Sequence, residues 1–325
     1  MRKAVSLCAA IIVGIIILSV GDVLADRKKI LYVASYHTEK EEWSGGIKAG
    51  IKKVLDQRKD VELKIFNMDT RLSRSEGTKE AAAISARELI ADWKPDLVIT
   101  SDDNAAKYLI EPYYKNADLP FVFCGLNWDA SIYGFPVTNV TGMIEVQLID
   151  KIIEYLSPYA GGTRLGSLRG DTMTNYKEQM HFENYLKQSF DVRYVDSLSA
   201  WKRQFDRLQT NTDMLVLGSL GALDLEGASM TDIETFVTQN TRIPTAAYDA
   251  FMKDISLITL STIPEEQGQW AATKALEILN GTPPSEIPIT ANKKGKLYLN
   301  LHIAKKLGIK FPIELLEWAN LVGAK

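Results

Sequence analysis

From residue 30 onward, short apolar runs rich in β-branched residues alternate with longer segments whose apolar positions recur every three to four residues. That alternation is the pattern of βαβ units, in which a parallel sheet is covered by helices on both faces. The spacing predicts strands at 30–34, 61–66, 97–100 and 121–124, with helices over 45–55, 79–93 and 104–114 between them. Ile47, Ile51, Val54 and Leu55 share one face of the first helix. Lys94-Pro95 stops the second, because the residue before a proline is pushed out of the α region. Turn-forming residues over 129–140, with Gly134, Pro136 and Asn139, mark a boundary after four strands. The alternation then restarts: helix 147–156, strand 165–168, helix 175–189, strand 192–195, helix 201–208, strand 214–218, helix 232–238 and strand 245–248. A strand at 257–260 and a helix at 265–279, closed by Asn280-Gly281, come late and are expected to return to the first half.

Two such series imply an α/β protein of two doubly wound, Rossmann-like lobes joined by a multi-segment hinge. One lobe is expected to comprise 26–143 plus about 258–287, the other 144–257 plus about 288–325. Sheets of this kind bind ligands beyond the carboxyl ends of their strands, which places a cleft between the lobes.

Composition narrows the class. The 325 residues are 46% hydrophobic, with 38 Lys and Arg against 41 Asp and Glu. This balance excludes the basic footprint of a nucleic-acid binder, and the apolar content excludes a mainly disordered chain. Arg2 and Lys3 precede an apolar run over 7–20 and then Val23-Leu24-Ala25, the pattern of a secretory signal peptide cleaved after Ala25. The run is shorter than the ~20 residues that span a bilayer. Losing Arg2, Lys3 and Asp22 takes two of the 38 basic and one of the 41 acidic side chains, so 36 face 40 in a periplasmic or secreted chain. Cys8 leaves with the leader, so Cys124 has no intramolecular partner and reads as a buried, inert thiol.

The loops after strands select the candidate residues. Tyr36 and His37 follow the first strand, with Trp43 a few residues on; the aromatic rings either stack on a ligand or pack the lobe edge. Ser101, Asp102 and Asp103 open a helix, where one side chain caps the free N–H groups and a spare carboxylate can hold a ligand ammonium. Asn127 and Trp128 set an amide beside a large ring. In the second lobe Arg169, Asp171, Asn175 and Tyr176 sit between a strand and a helix start that can hold a ligand carboxylate, although Arg169 reads equally as an ion pair. Ser219, Tyr248 and Asp249 occupy the later loops. Adjacent carboxylates without further ligands make a poor metal site, and neither a metal nor a cofactor is expected. The motifs of dinucleotide, P-loop, zinc-protease and serine-hydrolase sites are missing. His37, His181 and His302 are scattered and read as surface positions; a Ser/His/Asp set from Ser35 or Ser101, His37 and Asp102 is directed by no motif.

Several stretches resemble the periplasmic proteins of the ABC transporter substrate binding family. They are Leu119-Pro120-Phe121-Val122-Phe123 followed by Asn139-Val140-Thr141-Gly142, Ser157-Pro158, residues 266–281 with Pro283-Pro284, and Leu299-Asn300-Leu301 through Ala304, Leu307-Gly308-Ile309 and Pro312. The segment 101–106 with Phe123-Cys124-Gly125-Leu126-Asn127 is similar to a branch serving sensor kinases. Lys253-Asp254-Ile255-Ser256 departs from the family, which has a glycine near this return strand. The resemblance implies a type I periplasmic-binding-protein fold and a monomer that closes on a small polar or amphipathic solute, an amino acid or small carboxylate, for an ABC permease. The alternative is a ligand-sensing subunit for a separate membrane sensor kinase; a secreted enzyme on the same fold is the third reading.

Overall fold

The computed structural model describes residues 27–71 and 75–323; the leader, its cleavage point at Ala25 and Cys8 lie outside the described residues. The first series runs β1 (Lys28–Ala34), α1 (Glu42–Leu55), β2 (Val61–Asn67), α2 (Glu76–Trp93), β3 (Leu97–Ser101) and α3 (Asp102–Ala105). A π-helical turn at Ala106–Ile110 carries α3 into α4 (Glu111–Tyr113), and β4 (Phe121–Asn127) and β5 (Val140–Glu145) follow. Strand β5 was not expected: the chain turns at 129–139 and then re-enters the sheet. Its apolar run is interrupted by Thr141 and Gly142, and Gly142 is there because the Phe123 ring lies across it, with 2.2 Å between an added Cβ and Phe123 Cδ2.

The second series is α5 (Ile149–Leu156), β6 (Leu165–Gly170), α6 (Met173–Leu186), β7 (Phe190–Val195), α7 (Leu198–Asn211), β8 (Met214–Leu217), α8 (Met230–Asn240) and β9 (Thr245–Ala247). Then come β10 (Ile258–Thr262), α9 (Pro264–Leu279), β11 (Thr290–Ala291), β12 (Gly295–Asn300), α10 (Leu301–Leu307), α11 (Ile313–Leu316) and β13 (Asn320–Val322).

These strands form two sheets, ordered β11-β5-β4-β3-β1-β2 and β13-β12-β10-β9-β8-β6-β7. Every pairing is parallel except β10 with β12. Each sheet contains the 2-1-3-4-5 order of a doubly wound α/β fold, with its switch point between β1 and β3 or between β6 and β8. Along β1, Leu31 and Val33 enter one apolar layer while Ile30, Tyr32 and Ala34 enter the other, so both faces are covered.

The late strand corrects the expectation for 257–260. Strand β10 lies in the second sheet, where Ile258 pairs with Ala246 on one side and Leu299 on the other. Only the following helix returns: α9 packs against α1 so closely that a Cβ on Gly268 would fall 2.0 Å from the Ile47 carbonyl oxygen, and one on Gly50 2.3 Å from that of Glu265. The chain therefore passes between the sheets after β5, after β10 and after β11. Asn292 ties the first and third crossings, accepting from Val146 N at 2.8 Å and donating to Val146 O at 3.1 Å.

Candidate functional site

The switch point of the first sheet is built from Ser35. Its hydroxyl donates to Ser101 O at 2.6 Å and accepts from Ala105 N at 2.8 Å, joining the loops after β1 and β3. Ser35, and neither Ser101 nor an aspartate, thus satisfies this free helical N–H; the expected cap is supplied from another strand. Ser101 itself is fully buried and pairs with the Tyr32 hydroxyl at 3.0 Å. His37 accepts from Glu39 N through Nδ1 at 3.1 Å, and among the described residues no hydrogen bond joins it to Ser35, Ser101 or Asp102.

These contacts leave Asp102 in an unusual position. It adopts φ 65°, a left-handed conformation costly for a non-glycine residue, and is 5% exposed. Oδ1 accepts from Trp43 Nε1 at 2.8 Å, which gives Trp43 a role beyond packing. Oδ2 is buried with no donor in hydrogen-bonding geometry. Burial pushes the carboxyl up to about 7, against the Ser101 and Trp43 side chains, which favour the anion. Gly125, itself at φ 69°, makes room, since a Cβ there would sit 3.3 Å from Asp102 Oδ1.

Around it, Asp103 accepts from Tyr133 OH at 2.7 Å and Asn127 Nδ2 at 2.6 Å. Tyr36 is half-buried, and burial followed by the Asp102 and Asp103 charges raises its hydroxyl pKa. Sequence reasoning missed Glu145, at the end of the unexpected β5. Its carboxyl is pushed up to about 8, first by burial and then by Asp102, while Oε1 accepts from Thr262 at 3.1 Å. It also missed Gln267, fully buried on α9, which accepts from Gly125 N at 3.0 Å and donates to Ile144 O at 3.2 Å. The signal for Glu145 was a lone acid closing an apolar run; for Gln267 nothing in the pattern marked it.

Trp128 joins the lobes. Its backbone N–H donates to Glu145 O at 2.9 Å, and its ring stacks on His181 of α6, centroids 5.1 Å apart and 4° from parallel, beside Phe182. His181 is therefore no free surface residue. Trp128, with Ile144, Gln147, Tyr185 and Asn292, lines a cavity of about 510 Å³ at the hinge, and both Trp128 Nε1 and Gln147 Oε1 are buried without partners.

The second lobe's loops are closed on themselves. Arg169 is fully buried rather than a surface ion pair: Nε donates to Ser167 Oγ at 2.8 Å and Gln179 Oε1 at 2.7 Å, and Nη1 to Glu178 and to Tyr248 OH at 3.1 Å. The Tyr248 hydroxyl donates to Glu178 Oε2 at 2.6 Å. At the start of α6, Thr172 Oγ1 accepts from Asn175 N at 3.2 Å, the Asn175 amide donates to Gly170 O at 2.9 Å, and exposed Tyr176 donates to Asp171 at 3.0 Å. Ser219 accepts from Gly221 N at 3.2 Å within its own turn. Asp249 is pushed up to about 6, by burial and then by Glu178, against the opposing pull of Arg169 and the Ser219 hydroxyl.

Two α/β lobes, three crossings between them and convergent polar and aromatic side chains at the strand ends define a two-lobed binding protein of the type I periplasmic class. The model of the family described as ABC transporter substrate binding protein matches residues 44–322, and the chain belongs to that family. Among solved structures it is similar to the ligand-free, open form of a substrate binding protein with adhesive properties from Clostridium difficile. There the identity is 20% and the TM-score 0.72, over 92% of this chain and 100% of the other. An ABC domain in complex with L-Trp from Streptococcus pneumonia is 21% identical with a TM-score of 0.56, covering 90% and 100% of the two chains. A Bacillus halodurans solute binding protein with bound myo-inositol is 13% identical with a TM-score of 0.52, over 87% and 98%. No curated protein matches the chain in sequence.

Proposed function

We propose that the protein is an extracytoplasmic solute-binding protein that traps a small polar or amphipathic solute between its lobes and hands it to an ABC permease. The observation that carries this reading is the gathering of Tyr36, Asp102, Asp103 and Glu145 at the carboxyl ends of one sheet, within the electrostatic reach of Asp249 from the other. Aromatic faces beside convergent carboxylates suit an amphipathic guest, and neighbours of this fold hold L-Trp and myo-inositol. Three crossings tied by Asn292 and Gln267 form a hinge about which the lobes can close. A thermal-shift screen over amino acids, nucleosides, organic acids and polyols tests this, because a ligand bound only by the folded state raises its melting temperature by mass action. The Trp128→Ala variant is expected to lose most of that shift; an undiminished shift removes Trp128 from the site. Small-angle scattering should record compaction with the hit, and identical profiles would remove hinge closure.

A further inference from the structure

The solute's charge can be read from what the cleft leaves unpaired, and this rests on the solute-binding reading above. Three carboxylates, Asp102, Asp103 and Glu145, come from the first lobe, and Asp249 acts on Glu145 from the second. Two arginines act on this region, and each already has a carboxylate: Arg71 pairs with Glu41, and Arg169 pairs with Glu178 through Nη1, leaving only Nη2 without a partner. The start of α6, where a ligand carboxylate was expected, spends Thr172 and Asn175 on its own backbone. Asp102, 5% exposed and held at φ 65°, keeps Oδ2 without a donor. A buried acceptor left open costs free energy unless something supplies the hydrogen, and the region already holds more negative than positive charge.

We infer that the solute enters as the missing cation, with a protonated amine as its buried end, donating to Asp102 Oδ2 between Asp103, Glu145 and Asp249. A charge-assisted bond to a desolvated carboxylate is the strong kind, and neutralising the like charges removes their opposition to lobe closure. In the empty protein the raised pKa values of Asp102, Glu145 and Asp249 are the same deficit, met by protons in place of a cation. An organic ammonium fits better than a metal ion: among the described residues no three His, Cys, Asp or Glu side chains stand close enough together to share one ion.

Matched compounds on one body separate the charges. Tryptophan, tryptamine and indole-3-acetate, with phenyl and n-butyl sets built the same way, are titrated into the full-length protein by calorimetry at pH 7.5, alongside myo-inositol and Ca²⁺ or Mn²⁺. The amine-bearing members of at least one set are expected to bind at least roughly tenfold more tightly than its acid-only member. Buffers of different ionisation enthalpy should show protons released on binding, as the cation displaces them. Asp102→Asn should bring amine and acid within about threefold of each other; Glu145→Gln, which leaves the switch-point loops intact, should lower amine affinity and proton release in the same direction. Acid-only compounds binding as tightly as amines, or a divalent metal binding where amines do not, overturns the inference. Binding confined to neutral compounds such as myo-inositol also overturns it and leaves the solute-binding reading standing, whereas no binding by any compound sinks both.

Discussion

The two lobes have the same strand order and treat charge at their switch points in opposite ways. In the second, fully buried Arg169 pairs with Glu178, which also accepts from Tyr248, and Asp171 accepts from Tyr176, while Arg169 Nη2 is left without a partner. In the first, Asp102 is nearly as buried but has Trp43 on one oxygen and nothing on the other. The second lobe pairs its buried cation with a carboxylate of its own. The first leaves a buried carboxylate oxygen open, which on the inference above makes it the receiving half.

The largest expected effect breaks the satisfied side. Arg169→Met leaves Glu178 without its guanidinium and should cost roughly 3–5 kcal/mol of stability in urea denaturation, while adding Glu178→Gln should recover part of the loss. A single variant as stable as the parent would show that the second lobe does not depend on this pair.

Next comes pH. The pKa values of Asp102, Glu145 and Asp249, about 7, 8 and 6, lie above those of unfolded carboxyls, so the folded state holds protons that the unfolded state has released. Stability of the empty protein should therefore fall as pH rises from about 4 to 8, by up to about 1.4 kcal/mol per pH unit for each titrating group, and level off above. The exposed pairs at Asp60 and Asp213, lowered to about 2 by Arg58 and Arg164, act in the opposite sense, and only below about pH 4. A melting temperature flat or rising between pH 5 and 8 would contradict the unsatisfied first lobe, and Asp102→Asn should flatten the fall.

A smaller effect tests the packing behind the receiving half. Gly268→Ala puts a methyl against the Ile47 carbonyl, so α1 and α9 must separate at a cost of about 1–3 kcal/mol, read from the denaturation midpoint. The smallest sharpens the site itself. Trp43→Phe removes the one donor on Asp102 Oδ1 and should cost about 1 kcal/mol while steepening the pH dependence, because the lost bond favours the anion. Unchanged pH dependence would separate Trp43 from the titration of Asp102.

How much was legible depended on where the information lay. The run 30–34 of β1, buried on both faces, announces itself as an unbroken apolar stretch. Strand β5 does not, because its run is interrupted by Thr141, whose hydroxyl donates to Ile287 O, and by Gly142, which makes room for the Phe123 ring of a neighbouring strand. The late strand was legible as a strand, but its sheet was not, since edge and partner are chosen by contacts with Ala246 and Leu299 far away in the chain. At the site, the loops after strands brought Tyr36, the Asp102–Asp103 pair and Trp128 into view. Which aspartate is left open was settled by Trp43, Asn127 and Tyr133, and the roles of Glu145, Gln267 and His181 by elements whose mutual placement no local pattern encodes.

By itself the chain's order of apolar and polar residues determined two parallel-sheet lobes and the loops that could face a ligand, because hydrophobic period and turn chemistry act over a few residues. The tertiary structure alone decided which charges are paired and which wait. Pairing a buried charge depends on the donors that distant segments bring within about 3 Å, and on how much water they exclude.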